Sequence, residues 1–308
     1  MILCCGEALI DLIPTELDNG ETAFVPHTGG AVFNTSIALG RLGVETALLS
    51  GVSTEPFGQS IARELEANNV SSNFLVRSDN PTTIALLQVQ NGSASYSFYD
   101  DSSAGRNVTD AQIPALSGEI DTVFFGGISL VNNPAADTYA GVLKQLAAGR
   151  ISMIDPNIRP AFIDDESAYR ERLNRMLGFC DIVKVSDEDL QWIAGPGISE
   201  AEQVQCVRDL GPRIVMVTKG EQGAVAFFRD DRVVVTSTPT IVEDTVGAGD
   251  TFNAGFLSGL RQMGVKSKPQ LETLTLDQLY SAVDLGTKVA SITVSRKGAQ
   301  PPWANELT

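Results

Sequence analysis

The stretch Asp244-Thr245-Val246-Gly247-Ala248-Gly249-Asp250-Thr251-Phe252-Asn253-Ala254-Gly255-Phe256 decides how this chain is read. Gly247 and Gly249 permit a tight turn with close backbone approach, and Phe252, Phe256, Leu257 and Leu260 then recur at helical spacing. A helix therefore begins near Gly247. Its unpaired N–H groups and the positive end of its dipole form an anion site that needs no lysine. Asp250 stands in the first turn. A carboxylate there is common as a cap, but a cap requires neither the two glycines nor the polar Asp244-Thr245 ahead of them. The pattern favours an anion site with a carboxylate beside it.

An anion would need such a local device here. The 308 residues carry 22 Lys and Arg against 38 Asp and Glu, a formal charge of −16, which argues against any broad nucleic-acid or anionic-membrane surface. With 43% hydrophobic and 19% charged residues, the composition is that of an ordered globular protein long enough for a large core. No apolar run approaches the ~20 residues of a membrane helix. Met1 to Ile13 lacks a basic leader and carries Glu7 and Asp11, so it reads as a buried first strand rather than a signal peptide. The four cysteines, Cys4, Cys5, Cys180 and Cys206, have neither CxxC spacing nor the density of a disulfide framework. They read as buried, reduced thiols, and the expected compartment is the cytoplasm.

Short, nearly continuous apolar runs recur at Ile2 to Cys5, Ala47 to Leu49, Val123 to Phe125, Ile151 to Ile154, Ile182 to Val185 and Ile214 to Val217. Such runs suit parallel strands buried on both faces. Segments of helical spacing lie between them, as at Phe57, Ile61 and Leu65. The expected fold is α/β, with helices on both faces of a mostly parallel sheet. Thr82 to Tyr99 breaks this rhythm with two β-rich runs joined at Asn91-Gly92, a hairpin signal. A hairpin cannot easily join a parallel sheet, so it is expected outside it, with Leu12 to Phe24, as a small lid over residues 12–25 and 82–105. A lid there would cover a site at the carboxyl ends of the strands. Without internal repeats or a Pro- or Ser-rich linker, residues 1–308 are expected to form one domain with the lid inserted.

The opening stretch resembles the C-terminal signature of the ribokinase-like (phosphofructokinase-B type) carbohydrate kinases. Gly29-Gly30-Ala31-Val32-Phe33-Asn34 with Ala38-Leu39-Gly40-Arg41-Leu42-Gly43 resembles the N-terminal one, and the likeness covers almost the whole chain. Gly6 to Pro14, Pro26-His27, Tyr96 to Ala104 and Asp155-Pro156-Asn157-Ile158-Arg159-Pro160 are most similar to the fructokinase branch. The resemblance implies a three-layer α/β/α sandwich with a β lid. It also implies a sugar kinase using ATP and magnesium, above all one that makes fructose 6-phosphate. Kinases for 2-keto-3-deoxygluconate, ribose or a nucleoside share the fold and the anion hole. A non-catalytic sugar or nucleotide sensor would keep the scaffold, but intact Asp250, Gly247, Gly249, Asp11 and Asn34 argue against it.

On that resemblance, Asp250 is the general base, and the amides of Gly247, Ala248, Gly249 and Asp250 stabilise the phosphoryl charge. They replace a Walker lysine, since no GxxxxGK[ST] occurs. Asp11, Gly29, Gly30 and Asn34 would bind the sugar, with Tyr99 and Arg106 reaching it from the lid, although such lid aromatics also suit packing. Arg159, in a loop stiffened by Pro156 and Pro160, would bridge phosphate oxygens. Lys184, Thr218, Gly220, Gly223 and Asn157 would serve the nucleotide; Thr218 to Gly223 resembles the family's TxGxxG loop, though a plain turn looks similar.

Two departures stand out. Where many members have Asn-x-x-Glu, this chain has Ser186-Asp187-Glu188-Asp189, so Asp189 or Glu188 would meet magnesium through water, and a capping box fits the same residues. Asp244, Val246 and Gly298 would surround a monovalent cation such as potassium, but Pro302 stands where ribokinases offer a serine hydroxyl. His27 is the only histidine and no GxSxG occurs, which disfavours a Ser-His-Asp hydrolase. No GxGxxG follows the first strand, which disfavours a dinucleotide enzyme. The expected partners are a sugar and ATP, with neither nucleic acid nor membrane, and a second copy of the chain clasped through the edges of the lids.

Overall fold

The computed structural model of the protein describes residues 1–90, 93–116 and 118–307. From the amino end the chain forms β1 (Ile2–Cys5), β2 (Leu9–Glu16), β3 (Thr22–Gly29), α1 (Ala31–Arg41), β4 (Thr46–Leu49), β5 (Gly51–Ser53), α2 (Pro56–Ala67), β6 (Val70–Ser71), β7 (Val76–Ser78), β8 (Ile84–Gln90) and β9 (Ser93–Tyr99). It continues with β10 (Thr122–Gly126), α3 (Ala135–Leu146), β11 (Ile151–Asp155), α4 (Glu166–Leu177), β12 (Ile182–Ser186), α5 (Asp187–Ala194), α6 (Glu200–Asp209), β13 (Ile214–Thr218), β14 (Ala224–Phe228) and β15 (Asp231–Val235). The helices α7 (Ala248–Gln262), α8 (Lys268–Glu272) and α9 (Leu276–Val294) complete it.

All six apolar runs enter one sheet, ordered β15-β14-β13-β12-β11-β10-β1-β4-β6 among the described residues. Its strands from β13 to β6 are parallel, while β14 and β15 add an antiparallel edge. Alternation along each strand feeds two cores: Ile2 and Cys4 pack with residues of α1, α2, α7 and α9, whereas Leu3 and Cys5 pack with α3, α4 and α6. Both faces are therefore covered, giving the three layers expected.

A second sheet, β3-β2-β8-β9, stands apart. Its hairpins β2/β3 and β8/β9 are antiparallel and meet along a parallel seam, with Ile10 opposite Ile84. The Asn91-Gly92 turn lies outside the described residues. Residues 100–105 lie outside the strands, where the Asp100 carboxylate accepts hydrogen bonds from the Thr83 and Ser103 hydroxyls and Ala104 is buried.

Two local expectations are corrected. Met1 to Ile13 is not one strand: it ends at Cys5 and restarts at Leu9 in the other sheet. At the break the backbone passes so close to α1 that a Cβ on Gly6 would lie 2.5 Å from Val32 Cγ2, so only glycine fits where the chain leaves the central sheet. Cys206 is exposed, because α6 faces solvent on that side, whereas Cys4, Cys5 and Cys180 are buried; all four thiols are free. Among the described residues no helix is long and apolar enough to cross a membrane.

Candidate active site

The helix read from the opening stretch is α7, and its N-cap is Gly247 at φ +78°. A side chain is barred there twice, by the left-handed backbone and because a Cβ would fall 2.6 Å from the Ala299 Cβ. Gly255 and Gly259 let α7 press onto α9: a Cβ at these positions would come within 2.7 Å of Gly286 Cα and 2.8 Å of Ala282 Cα. The first turn of α7 is thereby held at the carboxyl ends of β11 and β12, where Asn253 bonds to Asp155. Ala248 N–H donates to Thr245 O at 3.3 Å, and Thr251 N–H opens the helical ladder by donating to Gly247 O. Among the described residues, the amides of Gly247, Gly249 and Asp250 have no acceptor in the protein. They are the donors open to an anion.

Asp250 is only 8% exposed. Its carboxylate accepts a 2.9 Å hydrogen bond from Asn34 Nδ2, and its carbonyl accepts from the Thr35 hydroxyl at 3.1 Å. Burial pushes the carboxyl up to about 7; the Asn34 bond and the Lys184 ammonium oppose that shift, while the Asp155 and Glu7 carboxyls add to it. The side chain is thus a carboxylate poised near neutrality beside free amides.

Asn34 brings in the residues assigned to the sugar. It lies in the first turn of α1, whose N-cap is Gly30 at φ +108°. Gly29 pairs with Leu9 across β2/β3, and a Cβ there would come 2.1 Å from Asp11 Oδ2, so the Asp11 carboxylate rests directly on the glycine. Asp11 itself belongs to β2 of the second sheet, not to the end of a central strand. Burial raises its carboxyl to about 6.

A further acid, Glu7, escaped the sequence reading. Its buried carboxylate accepts from Ala31 N–H at 3.0 Å and from Ser129 N–H at 3.2 Å, capping α1 from another segment. The available signal was a carboxylate between Gly6 and Ala8 in an otherwise apolar run.

The lid meets the loop carrying Arg159 through Phe98, which packs edge-on against Phe162 with ring centroids 4.5 Å apart. Tyr99 is 62% exposed, and Arg106 is ion-paired with Asp101. Arg159 is exposed and donates from Nη1 to Ile158 O at 3.0 Å; Asn157 adopts φ +45°. Asp189 fastens this loop: its carboxylate accepts from Ile158 N–H at 2.9 Å and from Ser186 N–H at 3.3 Å. The Ser186–Asp189 capping box is therefore present, and Glu188 is exposed beside it. Burial holds the Asp189 carboxyl above its usual range.

Of the residues expected to serve the nucleotide, Thr218 ends β13 and its hydroxyl donates to Val185 O at 3.3 Å, and Gly220 is exposed. Gly223 at φ +94° permits a close approach in which a Cβ would sit 2.1 Å from Val235 O. The Asp244 carboxylate joins two segments, accepting from Val246 N–H at 3.0 Å and from Gly298 N–H at 2.9 Å. Lys184 is buried against Asp155 beneath the turn at Gly249.

Known proteins resemble the chain throughout. The family model described as pfkB family carbohydrate kinase matches residues 1–306. A fructokinase of Rhizobium leguminosarum bv. trifolii is 43% identical over 284 residues, covering 92% of this chain and 87% of that protein. The crystal structure of a fructokinase with bound ATP from Xylella fastidiosa superposes with a TM-score of 0.91 at 25% identity, over 99% of this chain and 97% of the other. An aminoimidazole riboside kinase from Salmonella enterica, at 21% identity and TM-score 0.84, covers 99% of this chain and 98% of its own and shares the fold. With its signature glycines placed at the start of α7 and of α1, the chain belongs to the pfkB family of carbohydrate kinases.

Proposed function

We propose that this kinase is a fructokinase, transferring the γ-phosphoryl group of ATP to the 6-hydroxyl of D-fructose. The observation that carries the chemistry is the buried Asp250 carboxylate, bonded to Asn34 on the sugar side and adjoining free amides at the start of α7. Fructose as substrate is supported by the 43% identical fructokinase.

Asp11, Gly29, Gly30 and Asn34 hold the sugar, with the Asp11 carboxylate accepting from its hydroxyls. Asp250 takes the proton from the 6-hydroxyl as the oxygen attacks phosphorus; the new O–P bond forms, the bond to the ADP oxygen breaks, and its electron pair leaves with ADP. The amides of Gly247, Gly249 and Asp250 bind the charge spreading over the phosphoryl oxygens, and Arg159 swings from its loop to bridge them. Thr218, Gly220, Gly223, Asn157 and Lys184 serve the nucleotide, with Tyr99 and Arg106 closing the sugar side from the lid. When bound with ATP, magnesium would supply positive charge against the phosphates. The exposed Glu188 is a hard oxygen donor free to meet it through water, while Asp189 already binds two amides. Asp244, Val246 and Gly298, already linked through the Asp244 carboxylate, are suited to a monovalent cation. The catalytic unit is one domain with an inserted lid, working in the cytoplasm.

The lid exposes Leu17, Phe24, Val25 and Tyr99, and β3 and β9 are its open edges, which supports a homodimer clasped there. A dimeric mass by light scattering at micromolar concentration is expected; a monomer rejects the clasp. Function is tested by ADP release over a panel of fructose, ribose, 2-keto-3-deoxygluconate and nucleosides. Fructose should give the highest kcat/KM. Preference for another member reassigns the substrate, and binding without turnover makes the protein a sensor.

A further inference from the structure

Beneath the anion-binding turn lies a pair of opposite charges sealed from water. Asp155 closes β11 and Lys184 projects from the adjacent β12; Nζ stands 2.9 Å from Oδ2, and the residues are 3% and 5% exposed. The same Oδ2 accepts a 2.7 Å hydrogen bond from Asn253 Nδ2, on α7 one turn beyond Asp250. The ammonium abuts the anion site as well, since a Cβ on Gly249 would lie 2.9 Å from Nζ. Taking two ions out of water costs several kcal/mol each, and apolar residues of similar volume often serve stability as well or better. Among the described residues, Asp155 Oδ1 and Asn253 Oδ1 are, in addition, buried without a donor. An arrangement this unfavourable for packing, set against the first turn of α7, points to a task in the chemistry.

We propose that Asp155 and Asn253 are positioning residues that lock the Lys184 ammonium beneath Gly249, so that the Asp155–Lys184 pair sets the electrostatic field at Asp250 and at the incoming phosphate. The inference rests on Asp250 as the base. Of the three ammonium donors Asp155 takes one, and Gly249 has no side chain to cover the others. Asp155 balances the lysine charge, and Asn253 ties that balance to the helix carrying the base. The charged groups that act on Asp250 are Glu7 from the β1–β2 connection, Asp155 from β11 and Lys184 from β12. Asp155 and Lys184 push its ionisation in opposite directions.

Opposite signs make the test. The pH dependence of kcat is measured with saturating fructose and MgATP for Asp155→Asn, Lys184→Met and the double variant, with folding checked by circular dichroism. Removing Asp155 should move the acid limb to lower pH by about one unit, and removing Lys184 should move it up by about as much. The double variant should return close to wild type. Asn253→Leu keeps every charge and should lower kcat several-fold while leaving KM for fructose unchanged. If Asp155→Asn fails to fold, the Lys184→Met and double-variant limbs decide alone. Limbs that coincide with wild type, or that shift the same way in both single variants, overturn the proposal while leaving the kinase intact. Absence of turnover in the wild type with every sugar, or full turnover in Asp250→Asn, fails the underlying reading and the inference together.

Discussion

Asn34 Nδ2 donates a 2.9 Å hydrogen bond to Asp250 Oδ2, joining the first turns of α1 and α7 across 216 residues of chain. The bond orients the carboxylate and favours its ionised form, countering part of the effect of burial. In Asn34→Ala the Asp250 carboxyl should therefore titrate higher. The acid limb of kcat should move upward and KM for fructose should rise; an unmoved limb separates Asn34 from the base.

The buried Asp250 itself predicts opposite effects on activity and stability. Asp250→Asn should lower kcat by roughly 10²–10⁴-fold. In the folded wild type the carboxyl is raised from 3.8 to about 7, so the folded state holds its proton more tightly than the unfolded chain does. Across that window the wild type loses stability as pH rises, and above it the cost of a buried charge is complete. Asp250→Asn, which has no charge to bury, should have a higher Tm than wild type at pH 8 and gain little at pH 4. Thermal melts at the two pH values check the sign.

Gly249 lies in the first turn with φ in the ordinary range, so alanine meets no backbone strain; the obstacle is Lys184 Nζ at 2.9 Å from the new Cβ. Gly249→Ala should lower Tm modestly by disturbing the buried Lys184–Asp155 pair and lower kcat by about tenfold or more through a displaced donor. Gly247→Ala meets both a left-handed φ and Ala299, and should lose about 1–3 kcal/mol of stability as well. Paired melts and turnover measurements distinguish the two glycines.

Gly29→Ala would drive its methyl into Asp11 Oδ2, and the carboxylate, at the end of a short side chain, must turn away. KM for fructose should rise by an order of magnitude or so while KM for ATP stays put. Equal changes in both constants would contradict a sugar role for Asp11.

Because Asp244 ties Val246 to Gly298 next to the turn at Gly247, a cation bound there should act on the anion hole. Initial rates should be higher in KCl than in NaCl or Tris at equal ionic strength. Equal rates would exclude activation by potassium.

Much of the fold was legible in the one-dimensional pattern because parallel strands buried on both faces need unbroken apolar runs, and Ile2 to Cys5, Ile151 to Ile154 and Ile214 to Val217 supply them. The start of α7 was legible in part, because the left-handed φ at Gly247 is a local demand of backbone geometry, whereas the close approaches of Lys184 to Gly249 and of Ala299 to Gly247 come from distant segments. The split of the first thirteen residues between two sheets was not, since the place where the chain leaves the central sheet is packed by Val32 and Ser129 from distant parts of the chain.

The sequence by itself determined the α/β class, the segregated lid and the pairing of a glycine-bearing helix start with one acid. Each of these follows from periodicity or backbone conformation, which act between near neighbours. Only the tertiary structure decided how that acid titrates, because its environment is built from Asn34, Glu7, Asp155 and Lys184 on separate elements. It also decided that Glu7 caps α1 and that Asp189 secures the Arg159 loop. Burial and charge act through space, and no spacing along the chain encodes which groups share a desolvated volume.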